Sequence, residues 1–132
     1  MHRAGAVAFA ARVGTRDEYD PQVTVINELA VAATTTRACA LTGQVLRHLG
    51  YHGLVDVGVL VRPLLNVYSR ARAPHGQRLT EPYGAHDYLS LTRQLAHVLL
   101  ERPADVAHEL VDELIATTAG WHYDAFVEPS RR

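Results

Sequence analysis

Residues 54–61 read Leu54-Val55-Asp56-Val57-Gly58-Val59-Leu60-Val61, with a valine at every second position. A period of two places the four valines on one face of a β-strand, and β-branched side chains suit a pleated, half-buried surface. Asp56 and Gly58 then fall on the opposite face, with Leu54 and Leu60. Pro63 follows two residues later and ends the pairing or sets the strand on an edge, because proline has no N–H to give to a ladder.

Upstream of this strand, Gly50-Tyr51-His52-Gly53 is a turn, and the segment before it has helical character. The spacing predicts a helix from Asn27 or Glu28 to Leu49, with Val31, Ala38, Leu41, Val45 and Leu49 on its apolar face beside Thr34 and Thr35. Asn27 is placed to cap the start, and Gly50 to adopt the left-handed conformation just past the end. The run Thr34-Thr35-Thr36 opposes this, since β-branched residues lose side-chain freedom in a helix, and a start near Thr35 or Thr36 stays open. Before the helix, Val23 and Val25 alternate with polar neighbours in a brief strand. Residues 6–13 (AVAFAARV), bounded by glycines, read as another strand, and the polar stretch from 15 to Pro21 as a connection.

Downstream, residues 64–68 offer a short strand after the proline break, and residues 69–84 contain two prolines and two glycines with few apolar residues. This is a long loop, of the kind that is usually functional or mobile in a small domain. Two helices are expected beyond it. The first runs from His86 or Asp87 to Glu101 with Tyr88, Leu91, Leu95, Val98 and Leu99 on one stripe. The second begins at Pro103, which is at home in a first helical turn, and carries Val106, Ala107, Leu110, Val111, Leu114 and Ile115 at 3.6 spacing. The tail from Trp121 adds Tyr123 and Phe126.

The chain has 132 residues, 48% hydrophobic and 20% charged, an ordinary globular composition long enough to bury a core without disulfides or structural metal. The reading is a single α+β domain over residues 1–120 with a tail at 121–132. A small, mainly antiparallel sheet of three or so strands is centred on Leu54–Val61, its valine face covered by the long helix and the C-terminal helix pair. All 13 basic residues are arginine against 14 acidic ones, so a net charge of -1 draws the protein onto neither nucleic acid nor membrane. No apolar run reaches the length of a membrane span, and a cytoplasmic location is expected.

The charge is unevenly distributed. Residues 57–80 hold Arg62, Arg70, Arg72 and Arg78 with His75 and no acid, whereas residues 101–113 hold five acids and one arginine. A basic loop flanked by Tyr68 and Tyr83 is a candidate anion or nucleic-acid contact, because guanidinium groups bind phosphates in a planar, bidentate way. The same arginines equally fit a solvated loop, or ion pairs with the acidic helix of the same molecule.

No catalytic set is complete. His108-Glu109-Leu110-Val111-Asp112 resembles the zinc-hydrolase pattern with aspartate in the last ligand position, but a third ligand is missing, and His108 with Asp112 makes an ordinary i,i+4 pair. No metal or other cofactor is expected. Cys39 sits mid-helix among alanines as an inert thiol, and Ser69 and Ser90 lack a glycine-flanked elbow. Asp56 on the valine strand, with His52 before it, is the alternative site: a carboxylate and an imidazole suited to acid–base chemistry if they converge, a solvent-facing aspartate if they do not.

Residues 46–61, LRHLGYHGLVDVGVLV, are similar to a segment of the region that follows Schlafen/AlbA-type DNA-binding domains in proteins of GC-rich bacteria. There a helix ends in a glycine turn and an alternating strand follows. The order of elements over residues 30–118 is also similar. The resemblance implies an accessory domain, a stand-alone relative of one, or part of a longer reading frame, and carries no functional residue across. The expected function is a non-catalytic binding or regulatory module, accessory to a DNA-binding protein, with nucleic acid or another protein as partner. A small enzyme using Asp56 and His52, and a structural homodimer formed by the aromatic tail and the alanine-rich helix face, are the alternatives.

Overall fold

The computed structural model describes residues 5–17, 22–69 and 87–118. Its elements are β1 (Gly14–Arg16), β2 (Thr24–Ile26), α1 (Glu28–His48), β3 (Leu54–Val61), β4 (Tyr68–Ser69), β5 (Tyr88–Leu95), α2 (Ala96–Glu101) and α3 (Pro103–Thr118). The class is α+β. The strands form two sheets rather than the one expected: β2 lies between β1, antiparallel, and β4, parallel, while β3 and β5 make a separate antiparallel ribbon.

Helix α1 spans the threonine run and starts where Asn27 caps it, the side chain accepting from Ala30 N at 3.3 Å. The threonines are accommodated because Thr35 and Thr36 donate to the carbonyls of Val31 and Ala32, four residues back, at 2.8 and 2.9 Å. Gly50, at φ 72°, ends the helix as its sequence position implies. The buried face is rotated from the expected one. Val31, Ala32, Thr35, Cys39 and Gly43 point inward, whereas Leu41, Val45 and Leu49 are exposed. Small side chains on the inner stripe let α1 approach α2 closely. A Cβ at Gly43 would stand 2.6 Å from the backbone nitrogen of Leu100.

Strand β3 matches its predicted bounds, and its valines face inward against the core. The helix expected over residues 86–101 is corrected: residues 88–95 are strand, and only Ala96–Glu101 is helical. The spacing of Tyr88, Leu91, Leu95 and Val98 fits a helix, yet YLSLTRQL also alternates, and β3 needs a hydrogen-bonding partner. All eight residues of β5 pair with all eight of β3, and the ladder decides the conformation.

Two shorter strands also differ from expectation. Residues 5–13 carry no regular structure, because β2 pairs only with residues 14–16, and Val13 instead accepts the backbone N–H of Asn27 at 3.1 Å. Residues 64–67 form a turn, closed by Val67 N donating to Leu64 O at 2.9 Å with Asn66 at φ 64°, so that β4 begins only at Tyr68.

Helix α3 supplies more of the core than any other element: Val106, Ala107, Leu110, Val111, Leu114 and Ile115 are all buried, as their spacing predicts. It lies against β5 and β3, while α1 packs on α2 and α3, and the valines of β3 pack against a core to which α1 and α3 both contribute. The phenol of Tyr88 donates to the carbonyl of Leu110, and Glu109 accepts from Thr92 Oγ1 at 2.8 Å and Gln94 Nε2 at 2.9 Å. These bonds fix the ribbon on α3 by its inner face and leave the other face outward.

Candidate interaction surface

The register of the ribbon determines what that outer face presents. Cross-strand partners are Leu54 with Leu95, Asp56 with Arg93, Gly58 with Leu91, and Leu60 with Leu89. Because side chains alternate across a strand, these eight residues share one face. Their inward neighbours are Val55, Val57, Val59 and Val61 on β3 and Tyr88, Ser90, Thr92 and Gln94 on β5.

The outer face is apolar. Leu91 is 71% exposed, Leu89 63%, Leu54 55%, Leu60 53% and Leu95 44%. Single exposed leucines are common on soluble proteins, but an antiparallel sheet with one free face normally carries polar residues there. Five exposed leucines on one ribbon face make an apolar surface of the kind that is often functional.

One charged pair interrupts the leucines. Arg93 Nε donates to Asp56 Oδ1 at 2.7 Å and Arg93 Nη2 to Oδ2 at 3.3 Å, a two-point contact between groups that both remain about two-thirds exposed. The hydrogen bond from Arg93, reinforced by its charge, holds the Asp56 carboxyl below the usual carboxylate range and raises the guanidinium in turn. Gly58 adds a second feature: a Cβ there would meet Leu91 Cδ2 at 2.6 Å, so Leu91 leans across the glycine and the third row of the face carries one side chain instead of two.

The residues singled out from sequence distribute as follows. The partner of Asp56 is Arg93 rather than His52, which is exposed in the turn between α1 and β3. Arg62 is exposed just beyond β3, and Arg70, Arg72, His75 and Arg78 lie outside the described residues, as do the long loop beyond Ser69 and the tail at 121–132. His108 Nε2 stands 3.8 Å from Asp112 Oδ1, and among the described residues no three His, Cys, Asp or Glu side chains gather as metal ligands would. Cys39 is buried and desolvation pushes its thiol up to about 11, as an unreactive cysteine requires. No described helix is long and apolar enough to cross a membrane.

The outward residues of β5 were not legible as a surface in the sequence, because Leu91 and Leu95 also satisfy a helical stripe. The signal for them is the alternation of Leu89, Leu91, Arg93 and Leu95 with polar Ser90, Thr92 and Gln94. The fold and this surface define an α+β protein with an apolar two-stranded ribbon exposed on one side. No protein-family model matches the chain, and comparison with curated proteins and with solved structures finds no match.

Proposed function

We propose that this chain is a non-catalytic protein-binding module, and that its contact surface is the outer face of the β3–β5 ribbon. Five exposed leucines on that face are the observation that carries the reading. The partner is a protein surface that is apolar and offers one acidic and one basic group opposite Asp56 and Arg93. An anionic polymer finds poor purchase here, since the only cation on the face is already bound to a carboxylate. In the setting that the resemblance of residues 46–61 implies, the module is accessory to a DNA-binding protein and works by protein contact.

Carbene footprinting tests the reading. The purified chain, labelled at nanomolar concentration, is compared with the same chain labelled at several hundred micromolar and with the same chain added to lysate of the cell that makes it. Labelling of Leu89 and Leu91 is expected to fall in at least one of the last two conditions while that of Leu49, exposed just past the end of α1, stays constant. Equal labelling of all three in every condition would overturn the proposal.

A further inference from the structure

Resting on that reading, we infer that the occupant of the outer face is a second copy of this chain. The two ribbons stack face to face about a twofold axis that runs along the strands, between β3 and β5. Cross-strand partners lie at equal heights along the ribbon, so this operation sets β3 of one copy over β5 of the other and brings every row opposite its own mirror order. Leu54 then lies over Leu95 of the second copy, Leu60 over Leu89, and Asp56 over Arg93.

Two observations select this arrangement, and the extent of the face suits it. The charged row closes into a ring of two aspartates and two arginines, in which each carboxylate faces two guanidinium groups and none faces another carboxylate alone. A twofold axis across the strands would instead reverse the order of rows and set the charged row against Gly58 and Leu91. That would desolvate charges against leucine, which is costly. Second, the row of Gly58 and Leu91 holds two side chains in the stacked pair where each other row holds four. The two Leu91 side chains fill the space left by the glycines, at the roughly 10 Å spacing of packed sheets. The face also has the extent of an interface: it is two strands wide and four rows long, with five leucines 44% to 71% exposed.

Sedimentation equilibrium of the purified chain and of charge-reversal variants tests this. Wild-type protein is expected to be dimeric at micromolar concentration. Asp56→Arg puts four cationic groups in the central ring and Arg93→Asp puts four anionic ones, so each variant alone is expected to dimerise at least about tenfold more weakly. An equimolar mixture of the two variants is expected to recover the dimer, since a cationic row then faces an anionic one. Both sites are exposed, and circular dichroism of each variant checks that the fold is retained. Recovery on mixing is the result that a merely structural role of either residue does not produce.

Wild-type protein that stays monomeric at several hundred micromolar would overturn the second-copy inference. If the lysate footprint is then still present, the binding-module reading stands with a different protein on the face; if it is absent, both fall. A dimer indifferent to either reversal places the interface elsewhere and also overturns the inference. Protection of Leu89 and Leu91 in the dilute monomer would put a segment of the same chain on the face and remove both proposals.

Discussion

Gly43 of α1 meets the backbone of α2 with no space for a side chain: a Cβ at this position would lie 2.6 Å from Leu100 N, 2.8 Å from Leu100 Cα and 2.9 Å from the carbonyl carbon of Leu99. The obstacle is backbone, so it cannot rotate away as a side chain could. Glycine normally weakens a helix interior relative to alanine, by about 1 kcal/mol. Here the close approach of α1 to α2 outweighs that preference.

Gly43→Ala is therefore expected to destabilise the protein by about 1–3 kcal/mol despite the better helix propensity of alanine, the range of overpacking in a close-packed core. Urea unfolding followed by circular dichroism at 222 nm reads the change as a lower midpoint with an unchanged slope. A midpoint equal to or above wild type would mean that α1 and α2 are not in backbone contact at this point.

Cys39 is buried and its thiol is raised from the ordinary 9.0 to about 11 by desolvation. The folded state thus favours the neutral thiol, so its stabilising effect is complete below pH 9, falls as the unfolded thiol ionises, and is fully lost above about pH 11. A maleimide or aromatic disulfide reagent at pH 8 is expected to modify Cys39 only at the rate of unfolding, and at once in 6 M guanidinium. Rapid modification of the native protein would contradict the burial.

Tyr88 anchors the first row of β5 to α3 by donating its phenolic proton to the Leu110 carbonyl, and burial raises its pKa above the usual phenol value. Tyr88→Phe keeps the ring and removes the bond, with an expected loss of about 1 kcal/mol in chemical unfolding. The sign of the shift also predicts that the phenol resists ionisation. Its absorbance change at 295 nm should begin at higher pH than that of exposed tyrosine, and the stability it contributes falls as pH rises past the unfolded phenol value.

Glu109 receives the hydroxyl of Thr92 and the amide of Gln94, both from β5. Glu109→Ala and Gln94→Ala are each expected to cost roughly 0.5–1 kcal/mol. The double variant should cost less than the sum, with a coupling of about 0.5 kcal/mol or more between residues that share a hydrogen bond. Strict additivity in a thermal or urea double-mutant cycle would show that the helix and the ribbon are not joined there.

Local pattern carried much of this architecture. The valine alternation of residues 54–61, the cap at Asn27, the stop at Gly50 and the apolar stripe of α3 from Val106 to Ile115 each express a preference that neighbouring residues alone satisfy. Asp56 could likewise be assigned to the face opposite the valines, because strand alternation requires it. None of these features needs knowledge of a distant partner.

Residues 88–95 are different. Their leucines fit both a helical and an alternating pattern, and the choice rests on whether β3, 27 to 41 residues earlier in the paired register, supplies the backbone hydrogen bonds. The inner face of α1 was likewise decided by distant packing. Leu41, Val45 and Leu49 are the more hydrophobic stripe, yet the stripe with Cys39 and Gly43 turns inward because only small residues let α1 and α2 meet. Sequence alone therefore determined α1, β3 and α3 and where they start and stop. Tertiary structure decided which faces are covered, and with that choice left five leucines and an Asp56–Arg93 pair on the outside of the ribbon.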